Sequence, residues 1–151
     1  MAYLERLAGI EIFKGFSGYI TKITDLMQSQ DETTSGCYKL VSLEGEDGSI
    51  VNFVVALNTY FVNHSVVYIG DKVTGYFDEL APVPLIYPPQ YRAIIMVKNM
   101  PGENVKVDYF DSELISSDNY LKLNIAMFTQ ILLTNGQPFK RNLENRNLIV
   151  I

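Results

Sequence analysis

Few residues in this chain of 151 could carry chemistry, and their spacing argues against most of it. Asp78 and Glu79, with tyrosines close by, are the most suggestive pair. Two carboxylates beside an aromatic platform can divide the acid and nucleophile roles of glycoside hydrolysis, provided they face each other across a sugar. Neighbours on a strand or loop point apart, and no second carboxylate can be placed opposite them from sequence. His64, the single histidine, sits between Asn63 and Ser65. It lacks the oriented partner of a general base and the companion ligands of a zinc ion, so it reads as an exposed turn residue. The sets Glu44, Glu46, Asp47 and Asp108, Asp111, Glu113 offer hard oxygen ligands. Neither has the spacing of a calcium loop with its closing glutamate, and both read as solubilising turns. Cys37 is the only cysteine, which excludes an internal disulfide framework and a multi-thiolate metal site. It fits a reducing compartment and is expected as a small apolar strand residue. No catalytic, metal-binding or cofactor-binding set emerges, and the expectation is a non-enzymatic chain without a cofactor.

The elements that must position any site read as β structure. Residues 12–23 form a long, curved strand with Phe16, Tyr19, Ile20 and Ile23 facing inward and Gly15 and Gly18 as bend or bulge points. Residues 28–36 form a polar loop. Residues 37–43 and 50–57 are paired by Asp47-Gly48, which supplies the positive backbone angles of a tight hairpin. Short β-prone pieces at 59–62 and 65–69 precede strands at 72–77 and 91–97, and residues 98–102 form a boundary. Beyond it, 104–109, 120–125, 129–133 and 147–151 again read as strands. Residues 1–10 read as a short helix or a loose lead-in. No segment sustains a helical period, so the class is mainly β, with residues 1–99 as one module and 103–151 as a second, partial module.

An internal echo links the modules. Residues 52–62 lie beside residues 122–132 with Ala56 matching Ala126 and Thr59 matching Thr129, and 73–76 has a counterpart in 148–151. If the second module copies the first, it stops before an equivalent of 91–97. Its open edge then needs cover from the first module, from another chain or from residues outside this sequence.

A curved strand, a hairpin, an irregular segment and a strand entered by Gly70-Asp71-Lys72-Val73-Thr74-Gly75-Tyr76 resemble an OB-like small β-barrel. Together with Gly36-Cys37-Tyr38-Lys39-Leu40, Thr59-Tyr60-Phe61-Val62, the run from Ala81 to Tyr91 (APVPLIYPPQY) and Asn145-Arg146-Asn147-Leu148-Ile149-Val150-Ile151, the pattern resembles a family of small, uncharacterised OB-like β proteins of clostridia-like Gram-positive bacteria. The resemblance covers nearly the whole chain. It implies fold and lineage but no activity and no site residues, and it implies that the family extends past the position of Ile151.

Composition narrows the partners. Hydrophobic residues make up 48%, enough for a core. The net charge of −5 repels nucleic acid, and the basic residues are scattered, with Lys140-Arg141 the only adjacent pair. No export signal and no apolar run of membrane-spanning length is visible, so the expected location is cytoplasmic, unless a leader has been removed. The distinctive stretch is 82–91, where alternating prolines and apolar residues favour an extended path that loses little entropy on docking. It either straps the barrel end or presents Leu85, Ile86, Tyr87 and Tyr91 to a partner. The sequence therefore predicts a binding or assembly module whose partner is another protein chain or a second copy of itself. An OB-type oligosaccharide or single-stranded nucleic-acid binder is the alternative.

Overall fold

The computed structural model describes residues 2–4, 12–26 and 36–151. The sequence-predicted loop at 28–36 falls almost wholly outside them. The described strands are β1 (Ala2–Leu4), β2 (Phe13–Asp25), β3 (Lys39–Glu44), β4 (Ile50–Val55), β5 (Tyr60–Phe61), β6 (Lys72–Asp78), β7 (Gln90–Arg92), β8 (Ile95–Lys98), β9 (Lys106–Phe110), β10 (Leu132–Leu133) and β11 (Arg146–Val150). Among the described residues there is no α-helix, only a 3-10 turn at Val62–His64. The chain is mainly β and divides into two units, Phe13–Pro101 on one side and Met1–Ile12 with Gly102–Ile151 on the other. The break falls inside the 98–102 group. The first strand, however, pairs with the C-terminal strands and not with the module that follows it.

The larger unit is a mixed seven-stranded sheet in the order β5-β8-β6-β2-β3-β4-β7. Its core is Ile20, Val41, Leu43, Phe53, Val73, Phe77 and Met96, with Phe16 and Ile23 packed against it. Tyr19 departs from expectation and is half exposed, because its neighbour Ile20 takes the inward place and adjacent strand residues point to opposite faces. The register of β2 on β3 slips between Ile20 and Lys22, not at Gly15 or Gly18. In the β3–β4 hairpin only Gly48 has a positive φ, of 81°. Asp47 instead accepts hydrogen bonds from Ser49 N and Ser49 Oγ, and the connection is a wider loop closed by Gly45 N donating to Ser49 O. Cys37 is half-buried in the bend before β3 and is not a strand residue. Residues 65–69 form no strand, and Val66, Tyr68 and Ile69 are exposed.

The strand predicted over 91–97 is broken in two. β7 runs parallel to β4, whereas β8 runs antiparallel to β6. Between them Ala93 N donates to Val54 O and Ile94 N to Tyr76 O, so consecutive amides serve different neighbours.

The smaller unit is a four-stranded sheet, β10-β1-β11-β9, over a core of Phe110, Leu143 and Leu148. Its directions repeat those of β5-β8-β6-β2: the first pair parallel, the next two antiparallel. After β9 the chain makes a reduced hairpin, bridging Phe110 to Ser116 and Ile115 to Lys122. The expected strand at 120–125 is limited to this bridge, although Leu121 and Leu123 pack on the core. Ser116 N donates to Leu121 O and Leu123 N to Leu114 O. The backbone groups of Lys122 and Asn124 therefore face the other way.

Candidate functional site

β6 ends at Asp78, whose carboxylate accepts from Leu80 N at 3.0 Å while its carbonyl accepts from Ala81 N. This local turn sends the chain out of the sheet. Pro82 and Pro84 then have no N–H for a ladder, which keeps the segment from joining the strands beside it. The chain returns where Asn52 N donates to Pro89 O at 2.9 Å, and β7 begins.

The four residues expected to meet a partner divide accordingly. Leu85, Ile86 and Tyr87 are 102%, 54% and 82% exposed. Tyr91 instead turns inward, stacked on Phe77 with centroids 3.9 Å apart and planes 7° off parallel, and 6.3 Å from Phe53. Its role is to anchor the returning strand. Beneath the loop lies a cleft of about 240 Å³ lined by Tyr38, Val54, Pro82, Val83, Tyr91 and Arg92. Arg92 at its rim is held by Asn58 at 3.1 Å.

The other candidates are dispersed. His64 is exposed, edge-on to Tyr60 at 5.9 Å. Glu79 pairs with Lys14 at 3.7 Å at the surface. The acidic sets are spent on turns and surface pairs: Glu46 meets Lys72, and Asp111 accepts from Glu113 N and Ile115 N. Hydrogen bonds from Ser49 hold the Asp47 carboxyl below its ordinary range, while burial raises the Tyr76 hydroxyl. Among the described residues no group of three or more His, Cys, Asp or Glu could hold a metal ion, and no helix is long and apolar enough to cross a membrane.

Sequence reasoning passed over a second feature, although the internal echo pointed to it. Ala56 N donates to Thr59 Oγ1 and Ala126 N to Thr129 Oγ1, each at 3.0 Å, and both turns close with a threonine N to alanine O bond of 3.1 Å. The second turn presents Met127 and Phe128, 92% and 93% exposed, directly after exposed Ile125. No family model, curated protein or solved structure matches the chain.

Proposed function

We propose that this chain is a non-enzymatic binding and assembly module that docks another protein chain through the loop at 79–89. The reading takes the larger unit as an OB-like barrel, in which 90–98 is one strand that bonds first to β4 and then to β6. The smaller unit is taken as a partial copy of it. The observation that carries the reading is the outward display of Leu85, Ile86 and Tyr87. Exposed apolar side chains on one short loop of a charged protein suit a contact surface, since each leaves water favourably only on docking. Hydrogen exchange in dilute solution tests it. The amides of Val83, Leu85, Ile86 and Tyr87 should exchange fast and those of β7 slowly. Slow exchange at 83–87 in the isolated chain would mean that the loop is a strap, and the reading would fail.

The cleft with Tyr38, Tyr91 and Arg92 favours a second reading, an OB-type binder of oligosaccharide or single-stranded nucleic acid. With one cation at the rim and a net charge of −5, a neutral sugar fits better than a polyanion. Titration with both ligands over a range of salt separates them, because only nucleic-acid binding weakens steeply as salt rises.

A further inference from the structure

In the larger unit three polar groups beside β4 hold the segment 89–93. Asn52 N donates to Pro89 O, Val54 O accepts from Ala93 N, and the Thr59 hydroxyl donates to Ala93 O at 2.8 Å. The shared Ala-x-x-Thr turn carries these positions onto Lys122, Asn124 and Thr129 in the smaller unit. There the Lys122 N–H, the Asn124 C=O and the Thr129 hydroxyl hydrogen have no partner among the described residues. The correspondence of strand orders explains the gap. β1 fills the place of β8, since β10 runs parallel to β1 as β5 does to β8, though β10 begins two residues further from its turn; nothing described fills the place of β7. A strand edge whose three polar groups have no partner among the described residues, flanked by exposed Ile125, Met127 and Phe128, is a template for an added strand.

We infer that this edge at 121–129 receives the exposed loop at 83–87 from a second copy of the chain. The inference rests on the docking role proposed for that loop and names its partner. The loop fits in the register of 89–93. Val83 O then accepts from Lys122 N, Tyr87 N donates to Asn124 O, and Tyr87 O accepts from the Thr129 hydroxyl. Pairing of this kind uses alternate residues, here 83, 85 and 87, each of which has an amide hydrogen. Pro82 and Pro84 fall at the positions that face solvent, where a missing N–H costs nothing. Leu85 takes the place of Tyr91. Ile86 takes that of Arg92, and Phe128 that of Asn58, so an apolar contact replaces the Arg92–Asn58 hydrogen bond. Donor and acceptor are different surfaces of one chain, so the contact is head-to-tail and copies add in series or close into a ring. A contact of one short strand falls at the low end of interface sizes, where association is weak and concentration-dependent.

The test is complementation between two full-length variants, Leu85→Asp, which spoils the donor, and Lys122→Pro, which spoils the acceptor. Wild-type mass, by sedimentation or light scattering, should rise with concentration. Each variant alone should stay monomeric, and their equimolar mixture should stop at a dimer, because it keeps one good donor and one good acceptor. Phe128→Asp, at a side chain too exposed to matter for folding, should weaken self-association at least about tenfold. A wild type that is monomeric at millimolar concentration, or a Lys122→Pro or Phe128→Asp variant that associates as wild type does, overturns the assignment. The exchange measurement on the dilute chain is unaffected by those outcomes and decides the loop reading separately.

Discussion

Tyr87→Ala and Tyr91→Ala differ by four positions in sequence and should differ sharply in cost. Removing a large buried aromatic side chain costs about 3–5 kcal/mol. Tyr91 is half-buried, but it stacks on Phe77 and abuts Phe53, and such a stack adds about 0.5–1.5 kcal/mol beyond area. The loss should therefore be about 2–3 kcal/mol. For a unit of this size that lowers the melting temperature by roughly 10–20 °C. Tyr87 is 82% exposed, and its replacement should change stability by less than about 0.5 kcal/mol. Urea unfolding followed by tyrosine fluorescence and circular dichroism measures both, with each unit allowed its own transition since the chain has two. A loss above about 1 kcal/mol for Tyr87→Ala would show that the loop braces the fold. No loss for Tyr91→Ala would refute the stack as the anchor of the returning strand.

Gly75→Ala should destabilise the larger unit by about 1–3 kcal/mol, seen as a lower urea midpoint, because the added Cβ would stand 2.7 Å from the Phe53 ring. Thr59→Val should cost more than Thr129→Val, by about 1 kcal/mol in paired urea titrations, since Thr59 also donates to Ala93 O and Thr129 has no such acceptor among the described residues; equal costs would refute the added contribution of the Thr59–Ala93 bond. The Lys106 ammonium, with hydrogen bonds from Ser116 Oγ and Tyr120 N, holds Asp118 well below the usual carboxylate range. A depressed native pKa gives stability that is present above the unfolded value near 4 and is lost as pH falls below it, so acid should weaken the smaller unit. In Asp118→Asn this part of the pH dependence should vanish, and an unchanged midpoint difference between pH 7 and pH 3 would refute the assignment.

What could be read from sequence followed from local pattern. Alternation gave β3, β4, β6, β9 and β11 within a few residues. The failures arose where a long-range partner overrides local signal. Residues 91–97 look like one strand, yet the chain changes partner between Ala93 and Ile94. Leu121 and Leu123 have strand character, but pairing there is limited to the single bridge of Lys122 with Ile115 between them. β1 is three residues long and pairs with strands more than a hundred positions away, which no window of sequence can register. For the candidate site, the loop was visible as a proline-rich oddity. That three of its side chains face water and Tyr91 does not depends on Phe77 and Phe53, brought beside it by the fold.

The placement of the prolines bears on what kind of assembly such a chain can form. An exposed apolar strand with all its amides would pair on both sides and recruit copies without limit. In the loop, Pro82 and Pro84 remove donors from one side and leave Val83, Leu85 and Tyr87 able to pair on the other. A segment built this way can cap one edge but cannot become the interior strand of a growing sheet. The acceptor is restricted in the same sense, because Leu121 and Leu123 already spend their backbone groups on Ser116 and Leu114. Each copy thus offers one donor face and one acceptor edge, and growth is confined to the head-to-tail direction. The Leu85→Asp and Lys122→Pro mixture should consequently stop at two copies, with no larger species at any ratio of the variants.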